Sequence, residues 1–180
     1  MKRVYLIGYM GAGKTTVGKV LSELTGSSFI DLDYYIEGRF RKTVGQIFAE
    51  KGEEAFRDIE RRMLHEVAEF EDVIISTGGG TPCFFDNMEF MNNTGMTIYL
   101  KVSVEELAKR LELCKHTRPV LKGLSGEQLI DFIDDSLQKR DIYYNRASVV
   151  FEAEKMITES DVAEIASALQ LMIKERQPAG

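Results

Sequence analysis

Residues 8–15 read Gly8-Tyr9-Met10-Gly11-Ala12-Gly13-Lys14-Thr15, directly behind the apolar run Val4-Tyr5-Leu6-Ile7. The spacing Gly-x4-Gly-Lys-Thr is that of a phosphate-cradling loop. Its glycines let the backbone curl so that N–H groups point at phosphate oxygens. The run before the loop is short, apolar and ended by glycine, which predicts a buried strand. Lys14 to about Leu24 is a helix closed by Gly26, and its positive N-terminal end faces the anion. Lys14 supplies a point charge to the β- and γ-phosphates, and the Thr15 hydroxyl is a ligand for Mg²⁺. Gly11, Ala12, Gly13 and Thr16 complete the cradle. The chain is therefore expected to hold a nucleoside triphosphate.

Strands and helices alternate outward from this loop. Phe29–Asp33, Val73–Ile75, Met96–Leu100 and Ser148–Phe151 read as further strands. Phe56, Ile59, Met63, Val67 and Phe70 recur at helical spacing, as do Val162, Ile165, Ala166, Leu169, Met172 and Ile173. Ser103 with Glu106, and Ser125 with Gln128, read as capping boxes, the second for a helix running to about Tyr143. Such alternation predicts an α/β fold, a parallel sheet covered on both faces. Ligands of such sheets sit beyond the C-terminal strand ends. Attention falls on residues 8–15, 31–33, 78–80 and the segment after Leu100.

The chain's 180 residues suit one domain, at 1–176, with a frayed tail at 177–180. Its 23 Lys and Arg against 29 Asp and Glu give a net charge of -6, which argues against a nucleic-acid partner. The apolar run ending at Gly8 is too short for a signal core, and no stretch is long enough to span a bilayer, so the cytoplasm is expected. Cys83 and Cys114 form no metal-ligand pattern with His65 and His116, and read as free thiols.

A triphosphate site alone fits GTPases, motor ATPases and small-molecule kinases. No guanine-reading Asn-Lys-x-Asp segment is present, and a motor needs more chain, which leaves a compact phosphotransferase. Its acceptor side has several candidates. Asp31 and Asp33 end the second strand two residues apart, so both carboxylates share a face. They fit a magnesium water shell and an attacking hydroxyl, or a helix N-cap by Asp33 with Asp31 solvated. Arg57 sits one turn before Glu60, as a ligand or an ordinary ion pair. Gly78-Gly79-Gly80 suits close approach of backbone to a ligand more than a plain turn. From Lys109 to Lys122, five basic residues (Lys109, Arg110, Lys115, Arg118, Lys122) against Glu112 make +4. The run is a solvated surface or a mobile lid, at about 112–123, whose Arg118 would reach the transferring phosphoryl group. Arg140, taken singly, reads as a surface arginine.

Taken together, these segments resemble the shikimate kinase family. The likeness is carried by the loop with Thr16-Val17-Gly18-Lys19, Asp31-Leu32-Asp33 with Ile36-Glu37, Gly52-Glu53 with Phe56-Arg57 and Glu60, Thr77-Gly78-Gly79-Gly80, Thr117-Arg118-Pro119, and Arg140 with Tyr144 and Ala147. The matches are collinear from about residue 4 to 150. The resemblance implies a nucleoside monophosphate kinase-like fold, a P-loop NTPase with a five-stranded parallel sheet in order 2-3-1-4-5 flanked by helices. It implies a monomer that transfers the γ-phosphoryl group of ATP, with Mg²⁺, to the 3-hydroxyl of shikimate in aromatic amino-acid biosynthesis. Lys14, Asp33 and Arg118 would be catalytic, and Asp33 would orient the nucleophile. Arg57 and Arg140 would clamp the carboxylate, Gly79 and Gly80 would line the ring, and the acceptor-binding region would be at about 33–61. Thr15, and Asp31 through water, would hold the metal; Arg110 would pack on adenine. Val120-Leu121 and Ile142 depart from the family pattern, which more often has two leucines and a proline there. Two other readings stand beside this one: a kinase for another hydroxy acid such as gluconate, and a catalytically silent nucleotide-binding regulator.

Overall fold

The computed structural model describes residues 3–114 and 121–176. Five strands form one sheet: β1 (Arg3–Ile7), β2 (Ser28–Asp31), β3 (Val73–Ser76), β4 (Met96–Lys101) and β5 (Val149–Glu152). Their order is β2-β3-β1-β4-β5, and every pairing is parallel. This is the expected 2-3-1-4-5 arrangement. Central β1 and β3 are apolar without alternation because helices cover both faces; Val4 to Ile7 and Val73 to Ile75 are all at most 1% exposed.

The helices are α1 (Lys14–Thr25), α2 (Leu32–Phe40), α3 (Val44–Val67), α4 (Asn87–Thr94), α5 (Val104–Cys114), α6 (Gly126–Tyr144) and α7 (Glu159–Arg176). α1 and α7 pack on each other, and Gln170 Nε2 closes their contact by donating to the Leu24 carbonyl. Among the described residues, no helix is long and apolar enough to cross a membrane.

Several local expectations change. The second strand stops at Asp31, and Asp33 lies in the first turn of α2. Asp31, not Asp33, is the N-cap: its Oδ1 accepts from the Asp33 and Tyr34 amides at 3.1 and 3.3 Å. Both carboxylates still face one region, because a cap and its N2 residue stand on the same end of a helix. The Phe56 series belongs to α3, which breaks at Gly52 (φ 80°, ψ 171°), and Phe70 lies beyond its end. Ser125 makes no side-chain cap to α6. Ser103 Oγ does accept from the Glu106 amide, but Glu154, not Glu106, takes the Ser103 N–H.

A capping box that the spacing did not single out stands at Thr43 and Gln46, which exchange side-chain bonds with each other's amides at the start of α3. Thr43→Ala removes one of these bonds far from the loop at residues 8–15. It is expected to cost about 1 kcal/mol, seen as a fall of roughly 2–4 °C in thermal midpoint with turnover unchanged.

Candidate active site

The C-terminal ends of β1, β2 and β3 release three segments into one cleft. Its lining includes Met10, Gly13, Lys14, Thr15 and Thr16 from the loop, Asp31 and Asp33 from the start of α2, and Ser76 to Gly79. Gly11 and Arg110 also line it. At Gly13, which caps α1, φ is +88°, a region closed to most side chains, so the helix N-terminus can open onto the loop. Lys14 is 8% exposed, and its Nζ donates to the Gly8 and Tyr9 carbonyls at 2.8 and 2.9 Å. Ala12 is buried and its amide donates to the Tyr9 carbonyl, so it sets the shape of the loop.

Thr15 Oγ1 donates to Asp31 Oδ2 at 2.6 Å. A hydroxyl and a carboxylate oxygen thus meet at the mouth of the loop, a hard-oxygen pair suited to a divalent cation. Asp33 lies behind them. Burial raises its carboxyl to about 6, and the nearby Asp31 and Glu60 charges add to this against the pull of Lys14.

The two candidate arginines come from separate helices. Arg57 of α3 lies 4.0 Å above the Phe84 ring and donates through Nη1 to Glu60 Oε2 at 2.9 Å. Its Nη2 reaches Glu53 at 3.3 Å, and its buried Nε has no partner among the described residues. Glu60 is 1% exposed and also accepts from Thr81 Oγ1 at 2.6 Å, so the pair is an internal network and not a surface ion pair. Arg140 of α6 sits over the Tyr9 ring, 5.2 Å from its centre.

The three glycines fit between these groups. An ideal Cβ on Gly80 would lie 2.7 Å from Arg57 Nη2, and one on Gly79 would lie 3.2 Å from Arg140 Nη1. On Gly78 it would meet Asp33, Glu60 and Thr81 at 3.1 Å. Where the sequence suggested approach to a ligand, what comes close to these glycines in the structure is side chains of the site itself.

Arg110 of α5 reaches the same cleft. Its Nε donates to Glu106 at 2.9 Å, its Nη1 to the Gly11 carbonyl at 3.4 Å, and its Nη2 to the Ala153 and Glu154 carbonyls at 3.1 and 2.7 Å. With its edges so engaged, a flat guanidinium is fixed beside the loop. Met156 lines the same cleft, its sulfur 2.4 Å from where a Cβ on Gly13 would be. Nothing in the spacing around Met156 marks it; only the β5–α7 connection brings it here. Glu60 and Tyr144 were legible as motif members but not as parts of the site. Arg118, and with it the middle of the expected lid, lies outside the described residues.

Comparison with known proteins agrees with this geometry. The family model described as shikimate kinase matches residues 10–170. A curated shikimate kinase of Parabacteroides distasonis is 75% identical over 173 residues, covering 96% of this chain and 100% of that one. A crystal structure of shikimate kinase from Bacteroides thetaiotaomicron superposes with a TM-score of 0.93 at 50% identity, covering 96% of this chain and 98% of that one. Shikimate kinase from Acinetobacter baumannii in complex with shikimate gives 0.84 at 34% identity, covering 98% and 95%. A phosphate loop, a carboxylate and two arginines on one end of a 2-3-1-4-5 sheet, matched along nearly the whole chain, place this protein in the shikimate kinase family.

Proposed function

We propose that this chain transfers the γ-phosphoryl group of ATP to the 3-hydroxyl of shikimate, giving shikimate 3-phosphate and ADP. The observation that carries the reading is the convergence, at one end of the sheet, of a triphosphate loop with Asp33, Arg57 and Arg140. The relative from Acinetobacter baumannii was solved with shikimate, which supports the choice of acceptor.

The chemistry follows from the groups present. Phosphoryl transfer has a loose transition state, so it needs positioning and charge neutralisation more than a strong base. Guanidinium forks match a planar carboxylate, and Arg57 and Arg140 would hold that of the acceptor. Gly79 and Gly80, having no side chains, let the two guanidiniums come close, and would line the ring. Asp33, at about 6, is ionised at neutral pH yet basic enough to accept a hydrogen bond, or a proton, from the attacking hydroxyl. Lys14 would move its ammonium from the loop carbonyls to the β,γ-oxygens. Mg²⁺, when bound, neutralises charge on those oxygens, and Thr15 and, through a water, Asp31 would hold it. Arg118 would add a further cation from the lid, and Arg110 with Met156 would flank the adenine. The reading is of a cytoplasmic monomer in aromatic amino-acid biosynthesis, without a nucleic-acid or membrane partner.

The same residues suit other small hydroxylated acids, gluconate among them, so the acceptor is the point to test. ADP release from ATP and Mg²⁺ should depend on shikimate and be slower by orders of magnitude with gluconate; no release with shikimate would refute the proposal. Gly80→Ala puts a methyl group into the Arg57 guanidinium. It should raise the KM for shikimate about tenfold, the loss of roughly one charged hydrogen bond, while the KM for ATP stays put.

A further inference from the structure

Tyr144 lies at the end of α6, one turn beyond Arg140, and both side chains are on the same helix face. It is wholly buried. Its hydroxyl donates to the Gly79 carbonyl at 2.5 Å, and the Arg140 guanidinium lies against the same glycine, Nη1 being 3.2 Å from where a Cβ on Gly79 would be. One neutral hydroxyl oxygen therefore stands between two parts of the acceptor side, the Arg140 guanidinium and the Gly79 backbone beside it. The ring is held by packing: Tyr99 lies against it with ring centres 4.9 Å apart, a contact that does not need the Tyr99 hydroxyl. On its other side Arg140 rests on Tyr9 of the phosphate loop. A guanidinium pinned from beneath loses less freedom when it meets a carboxylate than one that must be ordered first.

We propose that Tyr144 is a positioning residue: its hydroxyl sets the Arg140 guanidinium against the Gly79 backbone and so presets the carboxylate-binding fork. It does not touch the acceptor. The proposal rests on the reading of Arg140 as the carboxylate clamp.

The test is steady-state kinetics of Tyr144→Phe, Tyr99→Phe and Arg140→Lys, with thermal midpoints for each. Tyr144→Phe keeps the ring and its packing and removes only the hydroxyl. It should lower kcat/KM for shikimate about tenfold, carried by KM, and leave the KM for ATP within twofold. An acceptor analogue with the carboxylate reduced to an alcohol should show no difference between wild type and Tyr144→Phe, because the fork then has nothing to hold. Tyr99→Phe deletes a neighbouring buried hydroxyl without touching Arg140. It should lower the thermal midpoint and leave the shikimate KM unchanged. A shikimate KM for Tyr144→Phe within twofold of wild type, beside a large rise for Arg140→Lys, would overturn the positioning role alone. No rise for Arg140→Lys would overturn the clamp on which it rests. Equal rises for Tyr144→Phe and Tyr99→Phe would reduce Tyr144 to packing and overturn the proposal as well. Should Tyr144→Phe not fold, an Arg140→Lys variant with unchanged discrimination between shikimate and its alcohol analogue overturns it by the same logic.

Discussion

Asp33→Asn is expected to lose turnover and gain thermal stability in the same protein. The proposed acceptor aspartate is half-buried, beside Asp31 and Glu60, and its carboxyl is raised to about 6. In the unfolded chain it titrates near 4. Between those values the folded state binds more protons than the unfolded one, so stability falls as pH rises through that window. Above about 6 the cost is complete. At about 1.4 kcal/mol for each tenfold change in proton affinity it is roughly 2–3 kcal/mol. Asparagine carries no charge and should recover most of it, raising the thermal midpoint by about 4–8 °C at pH 7.5. The gain should disappear near pH 4, where the wild-type carboxyl is neutral too. Turnover should fall by about 10²–10⁴, the usual worth of a positioned proton acceptor. Wild-type kcat/KM for shikimate should decline below about pH 6 with unit slope. Near-wild-type turnover in Asp33→Asn would remove the base role and leave orientation only.

Arg57→Ala should fail in both stability and binding. Glu60 is 1% exposed and keeps only the Thr81 hydroxyl once the guanidinium is gone. Breaking a buried pair by removing one partner costs about 3–5 kcal/mol, because the remaining charge is stranded. The stacking of Arg57 on Phe84 is lost too. The thermal midpoint should drop by at least about 6 °C. The shikimate KM should rise about 10–100-fold, the range for a lost charge-assisted contact. Adding Glu60→Gln separates the two effects. The double variant should regain most of the stability and none of the affinity. If Glu60→Gln restored the KM as well, Arg57 would be scaffolding and not a ligand.

How far the sequence carries can be read from single residues. Lys14 and Thr15 were legible because their spacing is local, set by a strand, a turn and the first turn of a helix. Asp31 and Asp33 were legible as a pair but not in their parts. Both are good caps, and a boundary error of two residues exchanges them. Ser125 failed as a capping residue although its motif is intact, since Gly126 follows it with φ +53°. Arg57 and Arg140 are separated by more than eighty residues, on different helices. Nothing in either neighbourhood says that they meet adjacent glycines; only the resemblance joined them before the fold did. Tyr144 and Met156 lie further still from any local rule, since their roles exist only once α6 and the β5–α7 connection are packed.

The central claim is that the loop and the acceptor residues form one two-substrate site, and product identity tests it most directly. Purified protein incubated with ATP, Mg²⁺ and shikimate would be followed by phosphorus–proton correlation NMR. The account predicts one new phosphoester on the ring carbon that bears the 3-hydroxyl, in equal amount to the ADP formed. ADP and free phosphate with shikimate unchanged, or phosphate on a different hydroxyl, would contradict it.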